Sequence, residues 1–252
     1  EAQTGCPLEN VVASLFEDAD ESPWVRLYYY RIFAELFAEA YMARIGDWCQ
    51  RHNLRLTGHF MYEHSLPLHF SWAVNSLPSY RHFDWPGIDH LGRQAGEAVT
   101  AIGCRSAVHQ FAKPRMMSEL YGASGQHLSF ADRKWIAHQQ IVLGANHLSP
   151  HLMATTLLGA RKRDYTPTSA SHQPWWELNH VVEDPLSRLC ELMSEGQGQP
   201  ELLIVHPQES VYVSSRGPVE LGQSPTWVGR FFHASADPKL NQLDDTWKRL
   251  CR

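Results

Sequence analysis

Residues Leu54 to His64 read LRLTGHFMYEH. The opening part, LRLTGHF, alternates and is rich in branched and aromatic residues, the pattern of a short strand. The closing part brings Gly58, His59, Glu63 and His64 together where that strand should end. Upstream, Ser22 and Pro23 open a helix predicted to run from Trp24 to His52. Ile32, Phe33, Leu36, Phe37, Ala40, Tyr41, Ile45, Trp48 and Cys49 recur along it at three-and-four spacing. Asn53 is its expected stop. Before the helix, NVVASLF (Asn10 to Phe16) reads as a buried strand, which makes strand, helix, strand and so a parallel sheet.

Downstream the alternation repeats. Leu66 to Tyr80 is mixed, and FDWPGIDHLG, Phe83 to Gly92, reads as a loop because Pro86-Gly87 is a turn signal. Ala98 to Ala112 is a predicted helix ended by Pro114. PRMMSELYG follows as a short strand ending in Ser118 and Glu119. Ser129 and Asp132 make a capping-box pattern ahead of a helix over Arg133 to Leu143, closed by Gly144. NHLSPH, Asn146 to His151, is then a strand end with polar residues at its tip. A polar loop spans Arg161 to Trp176, and Asp184 with Pro185 opens a helix that Gly196 ends. The expectation is an α/β fold, a partial (β/α)8 TIM barrel over residues 1–196. Such barrels gather the carboxyl ends of their strands on one face and build the active site there.

After the QGQP linker the texture changes. LLIVHP, Leu202 to Pro207, is a continuous apolar run of the kind that forms a strand buried on both faces. A polar segment with Pro218 and Pro225 follows, then an amphipathic helix through Leu240, Leu243, Trp247 and Leu250. One strand and one helix cannot bury a two-faced sheet. Residues 197–252 therefore read as the beginning of a second α/β domain, and the chain as part of a longer protein.

Composition narrows the function. The 252 residues carry a net charge of -5, which argues against a nucleic-acid or anionic-membrane partner. The 9 Trp and 15 His exceed what an ordinary core needs and suit a carbohydrate partner, though Trp also serves as core filler. The 5 Cys are odd in number and form no CxxC pair, so zinc knuckles and redox motifs are not expected. Cys49 and Cys190 fall on apolar helix faces and read as reduced thiols, which favours a cytoplasmic setting. No apolar run is long enough to span a membrane.

The chemistry that remains centres on Glu63 and Glu119, each just past a predicted strand. Glycoside hydrolysis needs two carboxyls, one protonated and one ionised, and their separation decides whether configuration is retained or inverted. Around them His59, His64, Asp89, Asn146 and His151 are candidates to hold sugar hydroxyls, and Trp72 and Trp175 to stack on a sugar ring. Each has a plainer alternative: a solvated loop carboxylate, a turn cap or a core aromatic. No HxxxH or HExxH spacing falls on a predicted helix, so no metal ligands are assigned. G-x-S-x-G and phosphate-loop patterns are absent too, against serine hydrolases and kinases. A non-catalytic carbohydrate-binding or scaffold protein, and a metal-dependent barrel hydrolase or isomerase, stand as rival readings.

The run LTGHFMYEH, then PGIDHLG, then MSELYGASG with the downstream ADRKWIAHQQIVLGANHLSPH, resembles glycoside hydrolases of the family 106 type, the α-L-rhamnosidases. It is also similar to the wider group of clan-A-like barrels that includes the family 42 β-galactosidases. The likeness covers Val11 to His151. It implies an exo-acting glycosidase with Glu63 as the acid and Glu119 as base or nucleophile. Family 106 enzymes invert and use calcium, family 42 enzymes retain, and the resemblance chooses neither. It also implies that LLIVHPQES opens a flavodoxin-like domain. Homo-oligomerisation stays open.

Overall fold

The strand foreseen around Thr57 forms because its entry is pinned from the side. Asp84 Oδ2 accepts the Leu56 amide at 2.8 Å, and Arg55 lies 3.6 Å from Asp84 Oδ1. In the computed structural model, which describes residues 7–94, 97–163, 165, 167, 169–196, 198–216 and 237–251, this strand is β1, Thr57–His59. It begins a parallel sheet with β2 (Trp85–Leu91), β3 (Met117–Gly122) and β4 (His147–Pro150), in the order β1-β2-β3-β4. The protein is mixed α/β, as expected. The Pro218 and Pro225 segment and Cys6 lie outside the described residues.

The chain forms two compact units. One comprises Leu54–Phe60 and Phe83–Glu201 and holds the sheet; the other comprises Glu1–Asn53, Met61–His82 and Leu202–Arg252 and is helical where described. The residues after 201 thus cluster with the amino-terminal helices, and the units do not follow the 196/197 boundary. In the helical unit, α1 (Ser22–Phe37) continues through a π-turn at Ala38–Met42 into α2 (Ala43–Arg51). Asn53 ends it in the left-handed region at φ 56°, as a helix stop requires. Short helices α3 (Leu66–Ala73) and α4 (Leu77–Tyr80) follow. Within this unit Tyr30 packs edge-on against Phe70 and tilted against Tyr212.

In the sheet unit, α5 (Val99–Gln110) connects β2 to β3, and α6 (Phe130–Val142) connects β3 to β4. The predicted capping box is formed: Ser129 Oγ accepts the Asp132 amide, and Asp132 Oδ2 accepts the Ser129 amide. Leu120, Tyr121, Leu128, Ile136, Ile141, Val182 and Leu186 make one core between β3, α6 and α7 (His180–Glu195). Arg133, 1% exposed, is wrapped there by Tyr121, Phe130 and Trp175 and paired with Glu183. Tyr121 Oη donates to the Arg133 carbonyl, which anchors the end of β3.

Four expectations are corrected. NVVASLF is no strand: it coils into two 3-10 turns, Leu8–Asn10 and Val12–Leu15, whose amides reach back three residues, and only Ser14 and Leu15 are buried. FDWPGIDHLG is not a loop but the source of β2. Pro86 is tolerated because it stands at the strand start, where a missing donor is cheap. Gly87 is there because a Cβ would lie 2.6 Å from the Gly58 carbonyl oxygen and 2.6 Å from Met117 Cε. LLIVHP forms no strand: Leu202, Leu203 and Val205 are 76%, 86% and 79% exposed, so the sheet start expected of a flavodoxin-like domain is missing at that position. Helix α7 starts at His180 rather than at Asp184, since Asn179 receives the Val182 and Glu183 amides and Pro185 is absorbed inside. Among the described residues, the remaining α-helices are α8 (Gln208–Ser214) and α9 (Pro238–Leu250); α9 buries Leu240 and Trp247 but leaves Leu250 exposed.

Candidate active site

Side chains alternate across a strand, so register decides which groups meet. His59 pairs with Gly87, Gly87 with Met117, Asp89 with Glu119, and Glu119 with Ser149. His59, at the end of β1, therefore shares one face with Asp89 and Glu119, which lie within β2 and β3. Ile88, Ser118 and Leu120, at the intervening positions, are buried.

His59 donates through both ring nitrogens. Nε2 lies 3.1 Å from Glu119 Oε2, and Nδ1 lies 2.7 Å from the Phe60 carbonyl oxygen. His151, just past β4, brings Nε2 to 4.0 Å from Glu119 Oε1. Asp89 Oδ1 is buried with no hydrogen-bond partner, as is His151 Nδ1. Tyr165 closes this side, its ring centroid 5.9 Å from that of His151. Nothing in the polar loop around Tyr165 signalled this role.

The charges follow from these contacts. Burial works against a charged His59, but the bonds to Glu119 and Phe60 and the charges of Asp89 and Glu119 outweigh it and raise the imidazole to about 9. The His59 bond holds Glu119 below the usual carboxylate range against its burial, helped by the charges of His59 and His151. Asp89 is raised to about 6, chiefly by burial; His59 opposes this and Glu119 adds to it. The cluster thus offers one ionised carboxylate, one carboxyl that holds its proton into mildly acidic solution, and an imidazolium.

The other candidates make different contacts. Glu63 belongs to the helical unit, where Oε1 accepts from the Tyr80 hydroxyl at 3.1 Å. His64 and Trp72 are in that unit too, both beside Tyr62, and Trp72 is 58% exposed. Asn146 stands before β4, at the opposite strand end from Glu119. Its Oδ1 accepts the Met116 amide at 2.8 Å, a structural tie. Trp175 lies over Arg133, 4.8 Å from ring centroid to guanidinium, and edge-on to Phe130. Both were misplaced for local reasons: the NHLSPH strand begins one residue later than its polar start suggests, and the Trp175 ring is claimed by a buried cation.

His59, Asp89 and Glu119 offer one nitrogen and two carboxylate oxygens within 4.8 Å of one another, a set that could hold a metal ion. Calcium, which the sequence resemblance implies, takes six to eight oxygen ligands. An imidazole and two carboxylates do not fit it. Among the described residues, Cys49, Cys104, Cys190 and Cys251 are free thiols and no helix is long and apolar enough to cross a membrane. Comparison of the chain with protein-family models, with curated proteins and with solved structures finds no match.

Proposed function

We propose that the chain is a glycoside hydrolase, cleaving a terminal sugar with Glu119 as base or nucleophile, and that its four parallel strands belong to a (β/α)8 barrel. One observation carries the reading. Glu119 stands within β3, half-buried, fixed by His59 and flanked by Asp89 and His151. A carboxylate whose negative charge is held by an imidazolium stays available to take a proton from water or to attack an anomeric carbon. His59, Asp89 and His151 supply donors and acceptors beside it that suit sugar hydroxyls. The strand order and parallel register support the barrel, because consecutive neighbouring strands joined by helices are its repeating unit.

The proton donor is assigned to Glu63 on the sequence resemblance alone. A leaving-group series tests both roles. On aryl glycosides, Glu119→Gln should slow every substrate that wild type cleaves, by about 100-fold or more. Glu63→Gln should slow poor leaving groups far more than activated ones, which need no protonation. Equal losses across the series for Glu63→Gln would remove it as the acid. Wild-type rates in Glu119→Gln would remove the hydrolase reading itself.

A further inference from the structure

The groups that gather on this face of the sheet are those that bind transition-metal cations. His59 Nε2 and Glu119 Oε2 are 3.1 Å apart, and an Asp89 oxygen lies within 4.8 Å of both. Two ligands on a tetrahedral zinc, each about 2.1 Å from the ion, are about 3.4 Å apart. His59 and Glu119 already stand near that spacing, and a turn of the Asp89 carboxylate closes the third side.

Two further features point to an ion. The His59 ring is held from behind: Nδ1 donates to the Phe60 carbonyl at 2.7 Å, which leaves Nε2 aimed at the carboxylates. A ring nitrogen fixed by a backbone carbonyl while the other faces the metal is the usual setting of a histidine ligand. Asp89 Oδ1, in turn, is buried and unpartnered at the site. A buried carboxylate oxygen without a donor is costly unless something positive meets it. His151 Nε2, 4.0 Å from Glu119 Oε1, stands beside these three groups rather than among them.

We propose that His59, Asp89 and Glu119 bind one divalent cation of the zinc class, with water in the fourth position. Mixed imidazole and carboxylate donors select a borderline cation over calcium. On binding, the proton shared by Nε2 and Glu119 leaves to solvent and the nitrogen lone pair takes the metal. The inference does not rest on the sugar-cleaving reading, because the ion can bind whether or not a glycoside is cleaved.

The test is equilibrium binding. The full chain, stripped with EDTA and desalted, is titrated calorimetrically with Zn2+ and in parallel with Ca2+. One Zn2+ per chain is expected, with no comparable Ca2+ binding. His59→Gln and Asp89→Asn should each weaken Zn2+ at least about tenfold while keeping the wild-type circular dichroism. If either variant fails to fold, the visible spectrum of Co2+ bound to wild type decides: intense bands of a low-coordinate site support the proposal, and the weak spectrum of the aqua ion overturns it. Absence of stoichiometric Zn2+, tighter Ca2+ than Zn2+, or folded variants that bind like wild type would also overturn it.

Discussion

Replacing His59 by Gln removes a positive charge while keeping an amide donor for Glu119. Its effect on stability follows from how far the fold raises the imidazole. The rise from 6.5 to about 9 corresponds to about 3 kcal/mol, at 1.36 kcal/mol for each pH unit. The side chain is 23% exposed, so solvent screening makes this a ceiling. Because the folded-state value is raised, the stabilisation is complete below 6.5 and fades as pH climbs through about 9. Glu119 behaves oppositely: its value is lowered, so its contribution is present at neutral pH and fades as pH falls through the acid range. Urea unfolding of metal-free wild type and His59→Gln, followed by circular dichroism from about pH 6 to 9.5, reads the difference. The wild-type advantage should be largest near pH 6 and shrink by up to about 3 kcal/mol at the alkaline end. A difference that stays flat across that range would show that His59 and Glu119 do not form a charged pair.

Three other outcomes test separate parts of the structure. His69 is buried in the helical unit, accepts the Ser76 amide on Nε2, and is lowered to about 3, chiefly by burial and further by the charges of His206 and His64. The unfolded chain therefore takes up the proton first, and stability should fall as pH drops from 6.5 toward 3, by up to about 1.4 kcal/mol per pH unit more than in His69→Gln; parallel urea-derived curves would refute this. Gly87→Ala places a Cβ 2.6 Å from the Gly58 carbonyl oxygen, so about 3 kcal/mol of stability should be lost in urea titrations, and an unchanged midpoint would contradict the close approach of β1, β2 and β3. With a cation on Glu119 the sugar chemistry has no free carboxylate, so Zn2+ should lower glycoside turnover and EDTA restore it; full turnover with Zn2+ bound would separate the ion from the reacting group.

Much of the sheet unit was legible because its signals are local. The Ser129 and Asp132 box marks the start of α6, Pro114 bounds α5, and PRMMSELYG after it reads as a short strand. β2 was hidden because Pro86-Gly87 imitates a turn, and only the neighbouring strands show why a proline at the strand start and a glycine at the crowding point belong there. LLIVHP and NVVASLF show the converse: an apolar run does not carry its own partner, and neither finds a strand to pair with among the described residues. At the site, His59, Glu119 and His151 were visible as polar residues near predicted strand ends, and Asp89 as a polar residue of an expected loop. Their meeting was not, because it depends on register across strands separated by about thirty residues.

The most direct measurement is the turnover of aryl glycosides by the full-length chain and by Glu119→Gln, with both proteins shown to be folded. The account predicts that wild type releases the aryl alcohol from at least one terminal glycoside and that the single exchange of oxygen for nitrogen at Glu119 reduces this by about 100-fold or more. Release at the wild-type rate by the folded variant, or none from any glycoside by wild type, would contradict it.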